Sequence, residues 1–218
     1  MAKGIVIDHN DEDYKIHLKE AKLNRFNGAF YYSEEIVRNI IPRVKTDRNW
    51  VTINTGKALD HSIVFIHNNK YPERYDYLKN YNDLVLVCGI PETCEKVKHL
   101  GTSVYLPLSV DVDYVKRFIS PKTEEIAFAG RLGKANSVIK DSNCDIISGL
   151  PREILLEEIA KYKKLYAVGR VAIEGKILGC DILPYDDRFP DPSIWEILDN
   201  KEVAKMLQRI LDKIDKEI

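Results

Sequence analysis

Short apolar runs alternate along the chain with stretches whose apolar residues recur every three or four positions. The runs at residues 3–8 (KGIVID), 29–32, 50–54 (WVTIN), 62–66 (SIVFI), 83–88 (DLVLVC), 103–106 (SVYL), 125–129 (EIAFA), 145–147, 165–168 and 181–183 predict strands. Helices are predicted over 14–24, 33–41, 71–80, 91–100, 151–162, 170–178, 193–198 and 202–214. Ser33 can cap the second of these, and Pro42 stops it. Pro91 suits the first turn of the fourth, and Gly101 ends it. Repeated strand–helix units predict parallel sheets covered on both faces and joined by right-handed crossovers. Residues 108–123 read as a crossover helix followed by a Pro/Lys linker, which divides the chain into domains 1–120 and 121–218. The fold class expected is therefore α/β, with two Rossmann-like parallel-sheet domains and C-terminal helices. Val203, Met206, Leu207, Ile210, Leu211 and Ile214 form one stripe of the last helix, suited to the chain's own core or, less often, to a homodimer interface.

Composition narrows this picture. In 218 residues, 33 Lys and Arg balance 34 Asp and Glu, which excludes a bulk basic field for nucleic acid or anionic lipid. The four cysteines form no C-x-x-C pair, and their spacing suggests no structural metal site. An amino terminus that turns acidic within a few residues is unlike a signal peptide, and no apolar run approaches the roughly 18 residues of a membrane span. A cytoplasmic location is expected.

The segment 166–187 (YAVGRVAIEGKILGCDILPYDD) concentrates the candidate chemistry. A strand runs into Gly169, and a helix then opens on Arg170 and carries Glu174. Open α/β sheets bind ligands at the carboxyl ends of their strands, where free helix N–H groups and an arginine favour phosphate. Arg170 and Glu174, four residues apart, would otherwise be an ordinary surface ion pair. Gly130, Arg131 and Lys134 follow another strand and can bring backbone and charge to a diphosphate; alone they would be an exposed basic turn. Asp8 and His9 follow the first strand and His67 another, as candidate general bases for a hydroxyl or as plain loop residues. No G-x-G-x-x-G, P-loop or G-x-S-x-G signature is present.

Three segments resemble the retaining nucleotide-sugar family of GT-B glycosyltransferases. VYLPLSVDVDYVKRF (104–118) resembles the element joining that family's two domains. EIAFAGRLGK (125–134) resembles its diphosphate-contacting strand and loop, and RVAIEGKILGCDIL (170–183) its element in which a glutamate contacts the donor ribose. The resemblance implies a compact GT-B architecture with the two domains facing a cleft. It assigns Gly130, Arg131, Lys134, Gly169, Arg170 and Glu174 to the donor, and matches His9 or His67 to a histidine near the transferred sugar; Asp8, His9 or His67 would face the acceptor. The family's first glutamate, eight positions ahead of Glu174, falls here on Tyr166.

The resulting expectation is a glycosyltransferase that moves a sugar from a nucleoside diphosphate, a UDP-sugar by preference, to an acceptor hydroxyl. The cations serve the leaving diphosphate, so no metal or other cofactor is required. The alternatives are a nucleotide-sugar epimerase or hydrolase and a non-catalytic nucleotide-binding protein. A further one is a glycosyltransferase for hydroxylated DNA bases, with Lys15, Lys19, Lys22, Arg25, Arg38, Arg43, Lys45 and Arg48 as a local basic surface.

Overall fold

The structure, a computed structural model, describes residues 28–53, 56–67, 71–140, 143–185 and 189–217. The expected strand at 3–8 and helix at 14–24, with Asp8 and His9, lie outside the described residues. The contacts divide the chain into two units. Ala29–Pro107 and the helix Asn200–Glu217 belong to one, and Leu108–Asp199 to the other.

The first unit holds a parallel sheet in the order β1 (Asn49–Val51), β2 (Ser62–Ile66), β3 (Leu84–Cys88), β4 (Thr102–Tyr105). Every residue of β2 and β3 is buried, which accounts for their unbroken apolar sequences. The strand expected at 29–32 is instead helix α1 (Gly28–Glu35), which widens into a π turn at Ile36–Ile40 and ends in a 3-10 turn at Ile41–Arg43. Helical spacing lets Tyr32 meet the rings of Phe65 and His67 edge-on and buries Ile36 and Ile40 completely. For Tyr32, packing thus outweighs the strand preference of an aromatic residue. Ser33 lies inside this helix, not at its cap, with its hydroxyl 2.7 Å from Thr52 Oγ1. Residues 72–80 form a 3-10 helix, and α2 (Pro91–Val97) precedes β4.

The second unit holds four parallel strands, β5 (Glu124–Ala129), β6 (Asp145–Ile147), β7 (Tyr162–Tyr166) and β8 (Asp181–Leu183), in the order β6-β5-β7-β8. Its helices are α3 (Val112–Lys116), α4 (Leu132–Val138), α5 (Arg152–Ile159) and α6 (Arg170–Ile177). The expected helix at 193–198 is only a 3-10 turn, Pro192–Ile194. Lys176 Nζ donates to the carbonyls of Pro192 and Trp195, each at 2.7 Å, and these bonds organise the segment in place of a helical ladder. Both units are thus Rossmann-like α/β structures.

The expected join at 120/121 falls inside the second unit, because α3 already packs on α6. The terminal helix, expected with residues 121–218, belongs to the first unit. Its Val203, Leu207 and Leu211 are buried, while Met206, Ile210 and Ile214 are half-buried. Lys45 N–H donates to Gln208 Oε1 at 2.6 Å, and Gln208 Nε2 donates back to the Lys45 carbonyl at 3.1 Å.

Arg48 completes that attachment. Its guanidinium, 1% exposed, donates to Asp83 Oδ1 at 2.9 Å and to Asp215 Oδ1 on the terminal helix at 3.0 Å. The basic surface expected from Lys15 to Arg48 therefore does not include Arg48. His61 Nδ1 bonds Asp83, and its Nε2 lies 3.1 Å from Asp47 Oδ1. Both His61 (φ 55°) and Asp83 (φ 51°) adopt left-handed backbone at the amino ends of β2 and β3. Such strain costs about 1–3 kcal/mol per residue, and the pairing of the two side chains offsets it.

The hydrogen bonds of Asp83 and Asp47 raise the His61 pKa above its usual 6.5. Burial opposes ionisation of Asp83, but hydrogen bonds from His61 and Arg48 hold its carboxyl below the usual 3.8; the His61 hydrogen bond does the same for Asp47. The carboxylate contribution is present above the unfolded value and is lost as pH falls through the lowered folded values. The His61 contribution is full below 6.5 and is lost as pH rises through the raised folded value. The melting-temperature difference between wild type and His61→Ala is therefore expected to peak between about pH 4 and 6.5 and to shrink on both sides. A difference that stays flat from acid to alkaline pH would show that this network does not titrate as the geometry requires.

Candidate functional site

Strand order selects the edge. β5 neighbours both β6 and β7, so the chain leaves β5 toward one side of the sheet and β7 toward the other. The carboxyl ends of such a strand pair form a topological switch point, where α/β sheets open a ligand crevice. The first unit's strands follow in sequence order, without reversal among the described residues. In the second unit the residues leaving β5 are Gly130 and Arg131, and those leaving β7 lead through Gly169 to Arg170.

Local sequence fixes how α6 meets this edge. Gly169 has φ 62° and ψ −136°, a backbone that side-chain-bearing residues rarely adopt, and it turns the chain into the helix. Gly175 brings the helix close to the sheet: a Cβ there would lie 2.9 Å from Leu165 Cδ2 on β7 and 2.9 Å from Ile182 Cδ1 on β8. At the far end, Gly179 (φ 84°) closes α6, with Cys180 N–H donating to the Gly175 carbonyl and Gly179 N–H to that of Lys176.

That close approach buries Glu174, which is 1% exposed. Arg152 NH1 lies 2.8 Å from its Oε1, and Arg170 NH2 lies 3.3 Å from the same oxygen. The arginine side chains are 16% and 9% exposed. The expected pairing of Arg170 with Glu174 is present, but as part of a buried triad and not on the surface. Arg152 was not singled out in the sequence. Its signal is the one that marked Arg170: an arginine opening a helix after a strand and a glycine, here β6 and Gly149.

The other candidates are more loosely placed. Arg131 is exposed and precedes α4. Lys134 Nζ lies 5.1 Å from the Phe189 ring centroid and 5.9 Å from that of Tyr185. Gly130 is explained by packing, since a Cβ there would meet Phe128 Cζ at 2.9 Å and the Tyr185 hydroxyl at 3.0 Å. Tyr166, where the resembled family has its first glutamate, is buried among Phe128, Val138 and Tyr185.

His67 follows β2 in the first unit. Its backbone N–H donates to the Tyr75 hydroxyl at 2.8 Å, and its Nε2 faces the Thr52 carbonyl at 2.5 Å. A carbonyl only accepts, so Nε2 carries the proton and Nδ1 is the nitrogen able to act as a base. Burial pushes the imidazole pKa down, outweighing the Thr52 hydrogen bond, and this favours the neutral ring. Among the described residues, no group of three His, Cys, Asp or Glu side chains could hold a metal ion, and no helix is long and apolar enough to cross a membrane.

Two stability outcomes follow from this geometry. Gly169→Ala is expected to cost about 1–3 kcal/mol through backbone strain, since the nearest atom to a Cβ there is Leu108 Cδ1 at an unstrained 3.6 Å. Glu174→Ala, which leaves two largely buried guanidiniums without their carboxylate, is expected to cost about 3 kcal/mol, whereas exposed Arg131→Ala should stay within about 0.5 kcal/mol. Denaturant melts of the three variants check both, and equal losses for Glu174→Ala and Arg131→Ala would refute the triad's role. No protein-family model, curated protein or solved structure matches this chain.

Proposed function

We propose that the carboxyl edge of the second sheet binds the nucleoside diphosphate of a sugar donor, and that the protein transfers the sugar to an acceptor hydroxyl. The observation that carries this reading is the buried carboxylate–guanidinium cluster of Glu174, Arg152 and Arg170 beside a topological switch point. A diphosphate calls for guanidinium forks, which Arg170 and Arg131 supply, and a ribose for a carboxylate that accepts its hydroxyls, which Glu174 supplies. Both groups open or follow the turn at Gly169, with Arg131 on the neighbouring strand end.

In this reading the bond between the sugar's anomeric carbon and the diphosphate oxygen breaks while the acceptor oxygen bonds to that carbon. Arg170 and Arg131 stabilise the charge that develops on the departing diphosphate. The acceptor's proton goes to a base, for which the Nδ1 of His67 is one candidate and Asp8 or His9 the others. A UDP-sugar is the favoured donor, and no metal is needed for the charge the arginines already meet.

Isothermal titration with UDP, GDP and their sugars tests the donor site. Wild type is expected to bind one diphosphate series, and Arg170→Ala and Arg131→Ala are each expected to weaken it by about 10–100-fold. Absence of binding to every nucleotide, or wild-type affinity in both variants, would overturn the proposal.

A further inference from the structure

Arg170 and Glu174 lie on the same helix, four residues apart, so their contact moves with α6 and cannot fix the carboxylate relative to the sheet. Arg152 comes from a different element, the first residue of α5, and makes the shorter contact, 2.8 Å. The start of α5 is itself held: the hydroxyl of Tyr114 on α3 donates to Glu153 Oε1 at 3.1 Å. Both guanidiniums meet Oε1 of Glu174.

We infer that Arg152 is a positioning residue for donor recognition. By holding Oε1 from outside the helix, it presents Oε2 of Glu174 to the ribose hydroxyls and makes the site selective for ribonucleotides. This rests on the donor-site reading above and adds to it a residue on a second helix and the selectivity that residue enforces. A hydrogen bond to a charged acceptor depends on orientation, so a carboxylate free to rotate would still attract cations but would lose its grip on a neutral hydroxyl. The diphosphate is recognised by Arg170 and Arg131, so losing Arg152 should separate the two halves of the ligand.

Calorimetric titration of UDP and 2′,3′-dideoxy-UDP against wild type, Arg152→Ala and Arg152→Lys tests this. Wild type is expected to prefer UDP by about 10–100-fold, the range of one or two hydrogen bonds to a charged group. In Arg152→Ala that preference should fall to about threefold or less, with dideoxy-UDP affinity within about twofold of wild type. Arg152→Lys, which keeps the charge but not the planar fork, should give an intermediate preference. If Arg152→Ala does not fold, the lysine variant carries the same readout. An unchanged preference overturns the inference, as does an equal loss for both nucleotides, which would place Arg152 on the diphosphate; in either case the donor-site reading stands. A wild type that binds neither nucleotide overturns both.

Discussion

A carboxylate with 1% of its surface in solvent is costly to bury unless cations reach it, and much of the second unit's local structure serves that need. Gly175 lets α6 lie close enough to β7 and β8 to bury the residue before it. Gly169 sets the turn that places Arg170 one helical turn ahead. The crossover from β6 delivers Arg152 from another helix to the same oxygen. Buried ion pairs of this kind often give no more stability than well-packed apolar side chains of similar volume, so stability alone is a poor account of the arrangement. What it does provide is a carboxylate of defined orientation beside guanidinium groups.

The two units use arginine for different ends. Arg48 is as buried as Glu174, yet it sits where the first sheet's strands begin and ties that sheet to the terminal helix through Asp215. Its role is structural: its partner Asp83 bonds His61 in turn, and these two residues hold left-handed backbone at the starts of β3 and β2. Arg170 and Arg152 stand after strands have ended, beside helix amino termini, where a parallel sheet admits ligands. The polarity of the strands separates the structural cluster from the candidate site, though the chemistry of the two is alike.

The buried strands were the most legible part of the sequence. β2, at Ser62–Ile66, matches its apolar run residue for residue, and β3, β5 and β8 differ by no more than a residue at either end. β7 begins three residues earlier than its apolar core suggests, because exposed Lys163 and Lys164 interrupt the run. The run at 29–32 misled because aromatic residues favour strands, whereas on a helix Tyr32 reaches the rings of Phe65 and His67. At the site, the strand–glycine–arginine pattern identified Arg170 and Glu174. Arg152 escaped because the helical period of 151–162 explained its neighbours and left its own charge to solvent. Gly130 was legible as a constraint, but the constraint comes from Phe128 and Tyr185.

The first unit is discontinuous: its sheet is made before residue 108 and its last helix after residue 199. During synthesis the second unit can fold as soon as its strands emerge, whereas the first must wait with the surface around Ile36 and Ile40 uncovered until residues 200–217 leave the ribosome. Biogenesis therefore runs counter to chain order. The amino-terminal unit finishes last, and in the interval the apolar surface that its terminal helix will cover stays in water.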